Sequence, residues 1–433
     1  MKKYQLMAPG PTPVPSEVLL AMAAPIIHHR TPEYEALFVE VRAALKKLFQ
    51  TSAEVVPLAC SGTGAMEAAV VNTLSAGDRV IVVRAGKFGD RWLDLARAYG
   101  LEAIDLRAPF GQTVDAGRVA EALKSHPEAK AVLVQHSETS TGVLHDVRAY
   151  AAVTRQHDAI LVVDAVSSLG IADLAMDAWG IDLIVSGSQK GLMLPPGLGF
   201  CALNEKAWRK TRTSTLPKFY FSLADELKYV TKNEVRFTPA VSIMVGLRAA
   251  LRLIEAEGLA NVFRRHDRLA RATRAGAEAL GLELFAQATP SPAVTAVVSP
   301  KGVDSEKIVA AYSQSHNITI AGGQGEMKGQ LFRLGHMGYA AEFDVINALA
   351  ALEQVLADIG QPVDFGSSVR AAQKIFAEKS LSASWSPTGS RPSASMRSAS
   401  TAWTSRWSAR SASVSSSSAS ASTKGSSFAA PPR

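Results

Sequence analysis

Cysteine is almost missing from this chain of 433 residues: Cys60 and Cys201 are the only two. That excludes a disulfide framework. Neither thiol has a second cysteine or a histidine at metal-ligand spacing, so no metal site is expected. Long apolar runs are missing too, and nothing approaches the roughly 18–20 residues that span a bilayer. The opening Met1-Lys2-Lys3-Tyr4 lacks the apolar stretch and small-residue cleavage site of a secretory signal. Acid vanishes from one region: beyond Ser380 there are cations at Arg391, Arg397, Arg406, Arg410, Lys424 and Arg433, but no Asp or Glu. Most of the formal net charge of +7 resides there, and the remainder is nearly neutral. The basic balance is therefore no nucleic-acid footprint. The expectation is a soluble, cytoplasmic protein with neither a membrane nor a nucleic-acid partner.

Apolar residues make up 47% of the chain, enough to fill more than one core. Prolines at 9, 11, 13 and 15 block a helix and predict an extended opening over residues 1–15. Leu37, Val41, Leu45 and Leu48 follow at helical spacing. Short Val- and Ile-rich runs then recur at 80–83, 131–134, 160–163 and 183–185, separated by helix-length segments. That alternation predicts buried strands of a mainly parallel sheet between helices, an α/β domain over residues 16–257. From residue 258 the pattern changes to long helices around the run Val294–Val298, which predicts a smaller α+β domain reaching residue 366. Residues 367–433 are expected to be a linker and a Ser-rich, disordered tail, because such composition cannot bury enough surface to offset ordering entropy.

Three local patterns carry chemistry. In Ile184-Val-Ser-Gly-Ser-Gln-Lys-Gly-Leu-Met-Leu-Pro-Pro-Gly197 a buried strand ends in small residues and presents Lys190 where open α/β sheets bind ligands. Partial desolvation there lowers an amine's pKa and frees it for imine chemistry; read alone, the same residue is a surface lysine opening a loop. In Ile160-Leu-Val-Val-Asp-Ala-Val-Ser-Ser-Leu-Gly170 an acid follows four apolar residues, a costly burial unless it is paired. The protonated ring nitrogen of pyridoxal 5′-phosphate (PLP) would be such a partner, and a helix N-cap is the alternative for Asp164. Third, Cys60-Ser-Gly-Thr-Gly-Ala-Met-Glu-Ala68 leads small and hydroxyl residues into a good helix former, either an anion site or an ordinary capped helix.

Together with Gln135-His-Ser-Glu-Thr-Ser-Thr-Gly142, these patterns resemble the class V (fold type I) PLP-dependent aminotransferases, in particular the alanine–glyoxylate and serine–glyoxylate enzymes. The openings Ala-Pro-Gly-Pro-Thr-Pro-Val-Pro and His-Arg-Thr-Pro-Glu-Tyr also look like that family, and the likeness covers about residues 4 to 360. It implies Lys190 as the Schiff-base lysine and proton shuttle, with Asp164 on the pyridine nitrogen. Val166 and Phe88 would flank the ring, Phe88 standing where some relatives carry Trp. Ser61, Gly62, Thr63 and Gln189 would surround the phosphate, and Ser140 would approach the ring hydroxyl. Thr238 would reach the neighbouring subunit's phosphate, implying a homodimer, although Val235 replaces a tyrosine found in some relatives. Arg333 would grip the substrate carboxylate; an isolated strand arginine is more commonly a structural ion pair. The implied reaction is ping-pong transamination between a small amino acid, alanine or serine, and a 2-oxo acid such as glyoxylate or pyruvate. Another class V reaction, a lyase or phosphoserine-type aminotransferase, or a non-catalytic subunit of the same fold, is the alternative. Cysteine desulfurases normally carry His before the lysine, where this chain has Gln189.

Overall fold

Strand-forming Val and Ile runs build the centre of the molecule. The computed structural model describes residues 3–378; the expectation of a disordered Ser-rich segment falls largely outside them. Seven strands, β1 (Val55–Leu58), β2 (Arg79–Arg84), β3 (Glu102–Arg107), β4 (Ala131–Gln135), β5 (Ile160–Asp164), β6 (Leu183–Gly187) and β7 (Gly199–Leu203), form one sheet in the order β1-β7-β6-β5-β4-β2-β3. Strands β4, β5 and β6 are buried at every residue, which suits continuous apolar runs covered on both faces by helices. All neighbours from β6 to β3 pair in parallel. Only β7 runs against its two neighbours, following the Pro195-Pro196-Gly197 turn.

The register aligns Gln135 with Asp164 and Asp164 with Val185. Because β7 is antiparallel to both flanking strands, β1 runs the same way as β6. Six strands therefore deliver their carboxyl ends to one edge of the sheet. Strand β3 is the exposed outer edge; its charged residues Glu102, Asp105 and Arg107 face solvent and discourage further pairing.

A second core surrounds the antiparallel pair Val294–Val298 and Leu331–Gly335, with Ala321–Gly322 on the far side of the latter. Leu269, Ile308, Tyr312, Phe332, Leu349 and Leu352 fill it, drawn from three long helices and the sheet. The Pro-rich opening joins the two cores. Gln5–Leu6 pairs with Ile318–Thr319, and Met7 is buried in the second core. A few residues on, the Thr12 hydroxyl donates to the Lys190 carbonyl at 3.0 Å.

One expectation needs correction. Residues 367–377, read from sequence as the start of a linker, form a helix (Ser367–Ala377) packed on the helices Leu259–Ala279 and Glu342–Asp358. Val369, Ala372, Ile375 and Phe376 recur at three- and four-residue steps, and Glu353 caps the helix from outside by accepting from the N–H groups of Gly366 (2.7 Å) and Ser368 (3.0 Å). The cap lies in another helix, so the local sequence does not announce it.

Candidate active site

The carboxyl edge of the large sheet opens into a cavity of about 260 Å³. Eight residues singled out from sequence line it together: Ser61, Gly62, Thr63, Phe88, Asp164, Val166, Gln189 and Lys190. Each reaches it because its strand ends there. Ser61 and the helix Gly62–Thr73 follow β1, Phe88 lies in the first turn of the helix Lys87–Ala98 after β2, Asp164 ends β5, and Lys190 comes three residues after β6.

Lys190 is only 8% exposed and Asp164 5%. Burial, aided by the nearby Arg333 charge, brings the Lys190 amine down to about 8, while Asp164 pulls the other way. Burial likewise pushes the Asp164 carboxyl up to about 6, opposed by the Val166 N–H that donates to it at 2.8 Å and by the Arg91 and Lys190 charges. The Lys190 amine donates to the Pro9 carbonyl. Gly10 is required beside it: with φ of +120°, any Cβ would lie 2.2 Å from Nζ.

The helix Gly62–Thr73 begins without a side-chain cap, leaving the Ser61 hydroxyl and the first N–H groups free to meet an anion. Gly62 closes against Val166, whose Cγ2 would lie 2.5 Å from a Cβ placed there. Gln189 Oε1, buried beside them, has no hydrogen-bond partner among the described residues.

A family model described as Aminotransferase class-V matches residues 6–335. A protein of Synechococcus sp. named "Soluble hydrogenase, small subunit" is 46% identical over 379 residues, covering 86% of this chain and 98% of that protein. A serine–glyoxylate aminotransferase of Hyphomicrobium methylovorum is 39% identical over 383 residues, covering 86% of this chain and 94% of the relative. The chain belongs to the class-V aminotransferases. Its architecture is PLP-transferase fold type I. The crystal structure of ureidoglycine–glyoxylate aminotransferase from Bacillus subtilis matches with a TM-score of 0.82 at 29% identity, covering 87% of this chain and 98% of that one.

PLP is the cofactor of this family, and the cavity of this class-V enzyme fits it. The uncapped helix start, with the Ser61 hydroxyl, suits the phosphate, the acid at the end of β5 suits the ring nitrogen, and the desolvated amine suits the aldehyde.

Three expected residues stand away from the cavity lining. Ser140 is buried outside the lining: its hydroxyl donates to Glu138 and accepts from the Lys87 N–H at 2.9 Å. Arg333, 4% exposed, donates from Nε (3.0 Å) and Nη2 (2.7 Å) to the Gly322 carbonyl and from Nη1 to the Thr139 carbonyl (2.9 Å). It forms no salt bridge among the described residues, against the structural ion pair considered from sequence. Thr238 is exposed, in a shallow depression with Tyr220, Phe237 and the buried Val235. The Gly-rich stretch at 322–325 opens a turn containing the short 3-10 helix Gly325–Met327.

Sequence reasoning missed Arg91, which also lines the cavity. Its Nη1 donates to Thr63 Oγ1 at 3.2 Å, and its guanidinium sits 4.8 Å from the centre of the Phe88 ring. The signal was its position one helical turn after Phe88, on the same face.

Proposed function

We propose that this enzyme moves an amino group from a small amino acid, alanine or serine, to a 2-oxo acid such as glyoxylate or pyruvate, in two alternating half-reactions. The observation that carries the reading is the shared burial of Lys190 and Asp164 in one cavity with an uncapped helix start. PLP supplies a protonated ring that takes up the electron pair left when the substrate Cα–H bond breaks.

The remaining work falls to the chain. Lys190 carries the cofactor covalently and, when released, moves the proton at the substrate Cα; an amine near 8 keeps a useful neutral fraction at neutral pH. Asp164 holds the ring nitrogen protonated. Phe88 and Val166 flank the ring, and Ser61, Gly62, Thr63 and Gln189 surround the phosphate.

Arg333 is held for a carboxylate. Of its five N–H donors, three go to the two carbonyls, leaving one on each terminal nitrogen, as a bidentate grip needs. The second arginine, Arg91, is tied to Thr63 and stacked on Phe88, which places it with the cofactor rather than with a distal substrate carboxylate. That supports monocarboxylate substrates. The Synechococcus relative's hydrogenase name does not alter this reading, because the groups gathered in the cavity are those of imine chemistry and neither Cys60 nor Cys201 lines it.

We further place the enzyme in the cytoplasm as a homodimer, in which Thr238 reaches the partner's phosphate. Thr238 lies in an exposed aromatic face with Phe219, Tyr220 and Phe237, the kind of apolar surface that pairs. No described helix is long and apolar enough to cross a membrane. Donor and acceptor panels, scored by the spectral change of each half-reaction, test the substrate reading. Alanine or serine should convert the cofactor fastest; aspartate or glutamate in first place would sink it.

A further inference from the structure

We propose that Glu138 is a positioning residue of this site, holding the start of the Lys87 helix, and with it Phe88, in place against the cofactor ring. The inference rests on the PLP reading of the cavity. Glu138 lies just beyond β4, in the hairpin formed by Ser137–Glu138 and Val143–Leu144, and is wholly buried. One carboxylate oxygen accepts from the N–H groups of Phe88 and Gly89, each at 3.0 Å. The other accepts from the Ser140 N–H at 3.2 Å and from the Ser140 hydroxyl, which in turn accepts from the Lys87 N–H.

Three successive amides at the start of a twelve-residue helix are thus capped from a distant hairpin, while the helix's own N-cap, Gly86, contributes no side-chain bond. Gly86 is there for room: a Cβ would lie 2.4 Å from Ser140 Oγ and 2.5 Å from the Glu138 carboxyl carbon. The same turn holds the substrate side. The Thr139 carbonyl accepts from Arg333, and Ser137 lines the cavity. One buried acid therefore organises the ring-stacking aromatic, and its neighbour in sequence steadies the carboxylate-gripping arginine.

Glu138→Gln preserves size but turns an acceptor oxygen into a donor facing N–H groups. In the full-length chain it should raise the PLP dissociation constant about tenfold or more. It should also weaken the visible circular dichroism of the bound cofactor, which reports how the ring is held. The KM for the amino acid should rise as well, because Arg333 hangs on the same turn. Unchanged cofactor affinity with unchanged visible dichroism would overturn the proposal, whatever happens to thermal unfolding. If E138Q does not fold, Gly86→Ala presses a methyl on the same carboxyl from the helix side and must produce the same two changes; wild-type values there also overturn it. A wild-type chain that takes up no PLP would sink the cofactor reading instead, so the two failures are distinguishable.

Discussion

Asp164 and Glu138 are both buried acids at the carboxyl ends of neighbouring strands, the first closing β5 and the second three residues beyond β4, yet they are bonded very differently. Glu138, in the hairpin behind the cavity, receives four hydrogen bonds from three residues. Asp164, on the cavity floor, receives one from the Val166 N–H. Burial raises both pKa values, to about 7 and about 6 respectively. Desolvation outweighs the hydrogen bonds in both, so either charge costs stability; the four donors tie Glu138 into the scaffold, whereas Asp164 keeps acceptor capacity for a ligand. The difference between the two regions separates scaffold from chemistry more sharply than burial does.

The hardest test of that division is Lys190→Ala. Removing the amine should lower kcat by about 10⁴-fold and abolish borohydride-stable cofactor attachment, since acid–base and covalent roles are lost together. Retention of substantial turnover would place the chemistry elsewhere.

Asp164→Asn should lower kcat about 100-fold by removing the charge that stabilises the ring cation. It should also raise the stability of the cofactor-free protein, by on the order of 2 kcal/mol. The sign follows from linkage. An acid whose folded pKa lies near 6 against an ordinary 3.8 binds more protons folded than unfolded in that window. Its cost is absent below about pH 4 and complete above about pH 6, so the variant's advantage should grow across that interval in denaturant titrations. Lys190 acts in the opposite direction: with its amine lowered from 10.5 to about 8, it penalises the apo fold below pH 8 and relents as the pH rises toward 10.5. An Asp164→Asn variant less stable than wild type at pH 7 would show that the acid is already satisfied.

Arg333→Lys should raise the KM for amino acids roughly tenfold to a hundredfold, with a smaller change in kcat, because a lysine that keeps both carbonyls has one donor left and cannot grip a carboxylate bidentately. The smallest effect belongs to Arg91→Met, which loses one hydrogen bond and one ring contact. It should weaken PLP binding about fivefold and leave donor preference unchanged. A switch in donor preference would move Arg91 from the cofactor to the substrate.

Much of the site could be read directly where chemistry follows a strand within a few residues. Lys190 after β6, Asp164 at the end of β5 and the Ser61–Thr63 helix start all carry local signatures, and the cavity gathers them. Arg333 stood out only through its surrounding motif, and its two backbone acceptors are the carbonyls of Gly322 and Thr139. Glu138 was visible only as one letter within Ser-Glu-Thr-Ser-Thr-Gly, since an acid's role depends on which donors fold onto it. Gly10 sat unremarked among prolines because its positive φ and its closeness to the Lys190 side chain are set only in the folded chain. The helix Ser367–Ala377 was lost in the approach to a Ser-rich segment; its cap belongs to Glu353.

The sequence by itself determined the alternation of strands and helices, the family, and which lysine and acid would meet at a sheet edge. These depend on periodicity and on residues a few positions apart. Tertiary structure alone decided how each charge is satisfied: Arg333 left with two free donors, Arg91 turned to Thr63 and Phe88, Glu138 saturated and Asp164 not. Hydrogen bonding and desolvation are set by segments that meet only in the folded chain, and no local pattern encodes them.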